Sequence, residues 1–132
     1  MVNVMVVDTG TTVCEELAPA LRRSGVSLLR ATNPRHALEL ASVEQPDAVV
    51  INLTQPARVG DFAFSVLRFN AATARLPVVF LIDRLRWGRR ANDAAADALV
   101  PLPWTADRVL VAVHRVVARD TQAATPLLAK EG

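Results

Sequence analysis

In a sheet of parallel strands, chemistry collects where the apolar runs end, and four such ends stand out in this 132-residue chain. They are Asp8-Thr9 after MVNVMVV, Asn52 after DAVVI, Ile82-Asp83 after LPVVFL, and Pro101-Leu102 after ADALV. A carboxylate at Asp8 suits a hard cation, but Mg²⁺ wants several converging acids. Thr9 and Asn52 supply none, and Asp83 is the one other acid at a strand end. The Asn52 amide is a poor nucleophile that can both donate and accept hydrogen bonds. His36 and His114 fall in separate predicted helices, so no nucleophile finds a base at the strand ends. These residues predict no catalytic group, no metal and no cofactor.

The loop DTGTT (Asp8 to Thr12) offers hydroxyls and backbone N–H groups of the kind that cradle phosphate at a helix start. A small-ligand, flavodoxin-like reading needs aromatic residues placed to stack on a flavin, and Trp87 and Trp104 are not convincingly placed. The same phrase is similar to the first phosphate loop of the actin and heat-shock ATPase fold. That loop sits in a β-hairpin, whereas a helix follows here. The dinucleotide fingerprint GxGxxG and the nucleotide loop GxxxxGK[ST] are absent.

Composition sets the frame for these residues. Apolar residues make up 52 % and charged residues 21 %, which describes globular material. The length suits one domain. No run approaches the length of a membrane span, and MVNVMVVD lacks the basic start of a signal peptide. The lone Cys14 cannot form an internal disulfide, so a reducing cytoplasm is the expected compartment. Net charge is +2, and the basic residues are almost all arginine, with Lys130 the only lysine. That excess is small for a nonspecific nucleic-acid binder.

Five strands and five helices are expected to position the strand ends. The strands are Val2–Val7, Val26–Arg30, Ala48–Leu53, Val78–Ile82 and the edge-like Ala98–Val100. The continuous apolar runs predict burial on both faces. A first helix carries Val13, Leu17, Ala20 and Leu21 at helical spacing, with a kink or an altered first half expected from Pro19 and a stop at Gly25. Asn33 and Pro34 are expected to open a second helix, ended by Gln45-Pro46. The third helix, Asp61–Phe69, places Phe62, Val66 and Phe69 on one side. A weak, alanine-rich fourth helix is expected between Leu85 and Ala96. The fifth is capped by Thr105 and striped by Val109, Leu110, Val113, Val116 and Val117. Residues 1–119 form one domain in this reading, and 120–132, aperiodic and containing Pro126, a flexible tail or linker. Right-handed crossovers turn this order into a three-layer α/β sandwich around a five-stranded parallel sheet.

The segments VMVVDT, PDAVVINLTQP, LPVVFLI and ADALVPLPW resemble, in order and spacing, the receiver domain of two-component response regulators, a flavodoxin-like (βα)5 fold. The resemblance covers about residues 1 to 119. It implies a phosphoryl-accepting site in which Asp8 matches the first of two acids and survives. Thr9 stands at the second, metal-contacting acid, and Asn52 at the phosphoryl-accepting aspartate. Ile82 matches the hydroxyl residue that senses the phosphoryl group, and Leu102 the lysine that pairs with it. Acid, hydroxyl and lysine are lost together, and the changes compensate: a lysine kept without its acids would be an unpaired buried charge. Ile82 and Leu102 are expected to fill the vacated space. The expectation is a phosphorylation-independent pseudo-receiver that acts in signal transduction or transcription regulation without being an enzyme.

Function then falls to the outer faces. The resemblance implies signalling through the face of the fourth helix, fifth strand and fifth helix, to a protein partner or as a homodimer. Arg84, Arg86, Trp87, Arg89, Arg90, Arg108 and Arg115 belong to that face, and arginine beside tryptophan is good interface material. The same patch could touch phosphates and stack an unpaired base, the weaker reading, because Asp83 and Asp93 flank it. A C-terminal output domain could follow the tail.

Overall fold

The computed structural model describes residues 2–8, 12–54, 58–88 and 92–131, with backbone alone at Thr12, Arg58, Trp87 and 121–131. Strands β1 (Asn3–Val7), β2 (Ser27–Ala31), β3 (Ala48–Asn52), β4 (Val78–Ile82) and β5 (Ala98–Pro101) alternate with five helices. These are α1 (Thr12–Arg23), α2 (Pro34–Glu44), α3 (Arg58–Arg68), α4 (Arg84–Trp87) and α5 (Ala106–Glu131). All strand pairs are parallel, in the order β2-β1-β3-β4-β5. The molecule is therefore the (βα)5 sandwich expected from the strand pattern.

Alternation along each strand divides the core in two. Val4, Val6, Val50, Val79 and Leu81 point to one face. There they meet Val13, Leu17 and Leu21 of α1, and Val109, Val113 and Val116 of α5. Met5, Val7, Val49, Ile51 and Phe80 point to the other face. They meet Ala37 and Ala41 of α2, and Ala63, Phe64 and Leu67 of α3. Each fully buried aliphatic side chain contributes about 1.5–3 kcal/mol. Phe64 and Phe80 meet edge to face, with ring centroids 5.0 Å apart.

Local signals place the helix ends. Asn33 caps α2, its side chain accepting from the His36 N–H at 2.8 Å, with Pro34 at the first helical position. Gly25, at φ 72°, turns the chain out of α1 into β2. Pro19 lies within α1, which runs unbroken past it, because Leu17, Ala20 and Leu21 hold that segment on the core.

One expectation is corrected. The fourth helix is a single turn, Arg84–Trp87, followed by a 3-10 turn at Asp93–Ala95. Gly88, at φ 62°, ends it, and its N–H closes on the Arg84 carbonyl. Phe62, Val66 and Phe69 share one side of the third helix, as expected, and that side is turned away from the sheet. Gly60, Ala63, Phe64 and Leu67 form the packed face, because small residues allow α3 to approach β3. The backbone of α5 runs from Ala106 to Glu131. Alanine, leucine and lysine there favour helix despite Pro126.

A side chain without a sequence signal ties the far end of the sheet together. Arg68, in the last turn of α3, donates to the carbonyls of Ala74 (2.9 Å) and Leu76 (2.7 Å) and to Asp97 Oδ2 (3.1 Å). Its guanidinium lies 5.1 Å from the centre of the Phe64 ring. Asp97 Oδ2 also accepts from the Val78 N–H at 2.7 Å, fixing the entry to β4.

Candidate functional site

Strand order decides which strand ends become neighbours. β1 lies beside β3, with Val7 opposite Ile51, so the next residues along, Asp8 and Asn52, emerge side by side. β3 lies beside β4 with Asn52 opposite Leu81, and β4 beside β5 with Ile82 opposite Pro101. The carboxyl ends of four strands thus form one rim.

Asp8 is only 2 % exposed, and its backbone N–H donates to the Ala31 carbonyl of β2 at 3.0 Å. Asn52 Nδ2 donates to Asp8 Oδ1 at 3.1 Å. Asn52 Oδ1 accepts from the Thr54 N–H at 2.9 Å and from Thr54 Oγ1 at 2.6 Å. The amide is therefore used from both ends: it satisfies a buried carboxylate and pins the turn that leaves β3. A carboxylate at position 52 could make the Thr54 contacts but could not donate to Asp8.

Ile82 and Leu102 lie at the adjoining ends of β4 and β5. Ile82 is buried in the α2–α3 core. Leu102 is 43 % exposed, and its N–H bonds to the Ile82 carbonyl at 2.9 Å. Thr9 lies outside the described residues. Asp83, the other acid at a strand end, accepts from the Arg86 N–H at 3.1 Å as the cap of α4. Among the described residues, no three side chains of His, Cys, Asp or Glu converge as a metal site requires.

Cys14, in the first turn and a half of α1, is buried. Burial first, and then the negative charge of Asp8, push its thiol above the ordinary value of 9.0, with Arg30 opposing. Cys14 itself belongs to the core between α1 and α5, while Asp8 and Asn52 join a carboxylate and an amide at the strand ends.

On the expected interaction face, Arg84 and Arg86 are exposed on α4, and Arg108 and Arg115 on α5. Leu85 between them is fully exposed. The Trp87 side chain, Arg89 and Arg90 lie outside the described residues. Sequence reasoning missed Arg68 and Asp97 because they bond to backbone groups, which carry no side-chain signal, and to each other across 29 residues. Among the described residues, no helix is long and apolar enough to cross a membrane.

No protein-family model matches the chain. Response regulator MprA of Mycolicibacterium vanbaalenii is 31 % identical over 122 residues, which cover 91 % of this chain and 52 % of MprA. The chain thus spans about half the length of that relative. Protein PilH of Pseudomonas aeruginosa is 28 % identical over 123 residues, covering 89 % of this chain and 99 % of PilH. Among solved structures, the receiver domain of a Pseudomonas aeruginosa sensor histidine kinase, with a magnesium ion in its active site cleft, superposes with a TM-score of 0.75. It is 17 % identical and covers 88 % of this chain and 97 % of that one. The strand order, the rim of strand ends and these similarities together identify a receiver-like fold related to the receiver domains of response regulators.

Proposed function

We propose that this chain is a pseudo-receiver: a signalling module that takes up no phosphoryl group and acts through protein contacts. The observation that carries this reading is the Asn52–Asp8 hydrogen bond at 3.1 Å. A receiver needs a carboxylate nucleophile at the end of β3 and acids to hold Mg²⁺ beside it. Here that position carries an amide whose hydrogen bonds are spent on Asp8 and Thr54. Ile82 offers no hydroxyl, and Leu102 no cation, to a phosphoryl group. In this reading Asp8, Thr9, Asn52, Ile82 and Leu102 are the remains of an acceptor pocket kept for structure.

With the pocket silent, the message passes through the α4–β5–α5 face to a protein partner. Arg84, Arg86, Trp87, Arg89, Arg90, Arg108 and Arg115 supply the contacts. Residues 1–119 act as the receiver-like unit, and 120–132 connect it toward an output domain, in keeping with the greater length of MprA.

Intact-mass spectrometry after incubation with acetyl phosphate and Mg²⁺ tests the reading. The expected mass is unchanged, and a phosphoryl adduct on a pocket residue would overturn it.

A further inference from the structure

One face of α3 has more apolar surface than the core uses. Val59, Phe62, Val66 and Phe69 recur at steps of three, four and three residues, the spacing of a helix-packing seam. Phe69 follows the last residue of α3 and continues its turn, its N–H bonding to the Ser65 carbonyl at 3.0 Å. Core packing is already complete on the opposite face through Ala63, Phe64 and Leu67. Phe62 is nevertheless 64 % exposed and Phe69 91 % exposed. Val59 and Phe62 also line an open groove with Asn33, Pro34 and Arg35 at the start of α2.

The shape and charge of this face select its occupant. The groove is lined by Val59 and Phe62 but not by Val66 or Phe69, so a small molecule seated in it would leave the rest of the stripe uncovered. The two phenylalanines alone present on the order of 300 Å² of apolar surface, judged from a ring burying about 150–250 Å². That is over a third of the roughly 800 Å² each partner contributes to a standard interface. Beside the groove, α2 exposes Arg35 and Glu39, paired at 3.2 Å. A rim with both signs on one helix is self-complementary about a two-fold axis: each arginine can meet the glutamate of the other copy. It offers no charge excess to nucleic acid or to an anionic lipid surface.

We propose that two copies of this chain associate about a two-fold axis through the α2–α3 face, with Phe62 and Phe69 at its centre and Arg35 and Glu39 at its rim. The proposal stands apart from the silent-pocket reading, since it uses none of the pocket residues.

Sedimentation velocity from low to high micromolar concentration tests it. The unaltered chain is expected to dimerise with concentration. Phe62→Glu with Phe69→Glu should raise the dissociation constant about 30-fold or more, the loss of a hot spot. Circular dichroism should show the double variant folded, since both positions face solvent. Arg35→Glu and Glu39→Arg should each weaken the dimer, and the two combined should restore it. A monomer at every concentration would overturn the proposal, as would a dimer that survives the double phenylalanine change. A dimer lost on Arg115→Glu but retained in the phenylalanine variant would place assembly on the α4–β5–α5 face, overturning this proposal alone. A phosphoryl adduct would overturn the silent-pocket reading alone.

Discussion

Asn52 spans the gap between two strand ends, giving its amide hydrogen to Asp8 Oδ1 at 3.1 Å while its oxygen accepts two bonds from Thr54. The side chain is thus a clasp between β1 and the loop after β3. Placing a carboxylate there sets two acids about one hydrogen bond apart, an arrangement in which both cannot easily stay ionised. Asn52→Asp is therefore expected to lower stability by about 1–3 kcal/mol at pH 7. Urea denaturation of both proteins at pH 7 checks the loss.

Arg68 bridges the end of α3 to the lower rim of the sheet. Arg68→Met removes its bonds to Ala74, Leu76 and Asp97, and should cost about 2–4 kcal/mol in urea denaturation. Arg68→Lys should recover less than half of that loss. One ammonium cannot reproduce the planar fork that reaches two carbonyls and a carboxylate together.

Gly60 sits where α3 crosses the end of β3. A Cβ there would run into Leu53 Cδ2, and would lie 3.1 Å from Ile51 Cγ2 and 3.2 Å from the Asn52 carbonyl oxygen. Leu53 is fully buried and has little room to yield. Despite the better helix propensity of alanine, Gly60→Ala is expected to destabilise by about 1–3 kcal/mol through overpacking. A lower thermal midpoint would confirm it, and an unchanged or raised one would refute it.

The raised pKa of Cys14 makes an alkaline prediction. Above the pKa of the unfolded thiol, the unfolded chain loses its proton while the folded chain keeps it, so stability falls as pH rises toward the folded value. Below that window the contribution is fully present. Cys14→Ala should flatten the decline at pH values above the ordinary thiol value of 9.0. Denaturation midpoints of both proteins across that range provide the measurement.

The strands were legible because burial on both faces writes itself as continuous valine, isoleucine and leucine, as at Ala48–Asn52 and Val78–Ile82. Asn33 was legible too, because its cap acts within four residues. The fourth helix was not, since alanine content favours a helix while Gly88 locally ends it. On the third helix, periodicity gathered Phe62, Val66 and Phe69 correctly, but spacing cannot say which of two apolar sides faces the sheet. Only the fit of Gly60, Ala63 and Leu67 against β3 decides that. The adjacency of Asp8 and Asn52 followed from strand-end logic, whereas the exposure of Leu102 depends on the path of the chain after β5.

β5 forms one margin of the sheet and closes on Pro101, with Pro103 two residues further. Neither proline has an amide hydrogen, so a strand from another molecule meets gaps in the ladder it would have to extend. That margin is guarded against edge-to-edge stacking into fibres. Crowding the protein should accordingly favour discrete, soluble assemblies built on helices over open-ended β aggregates.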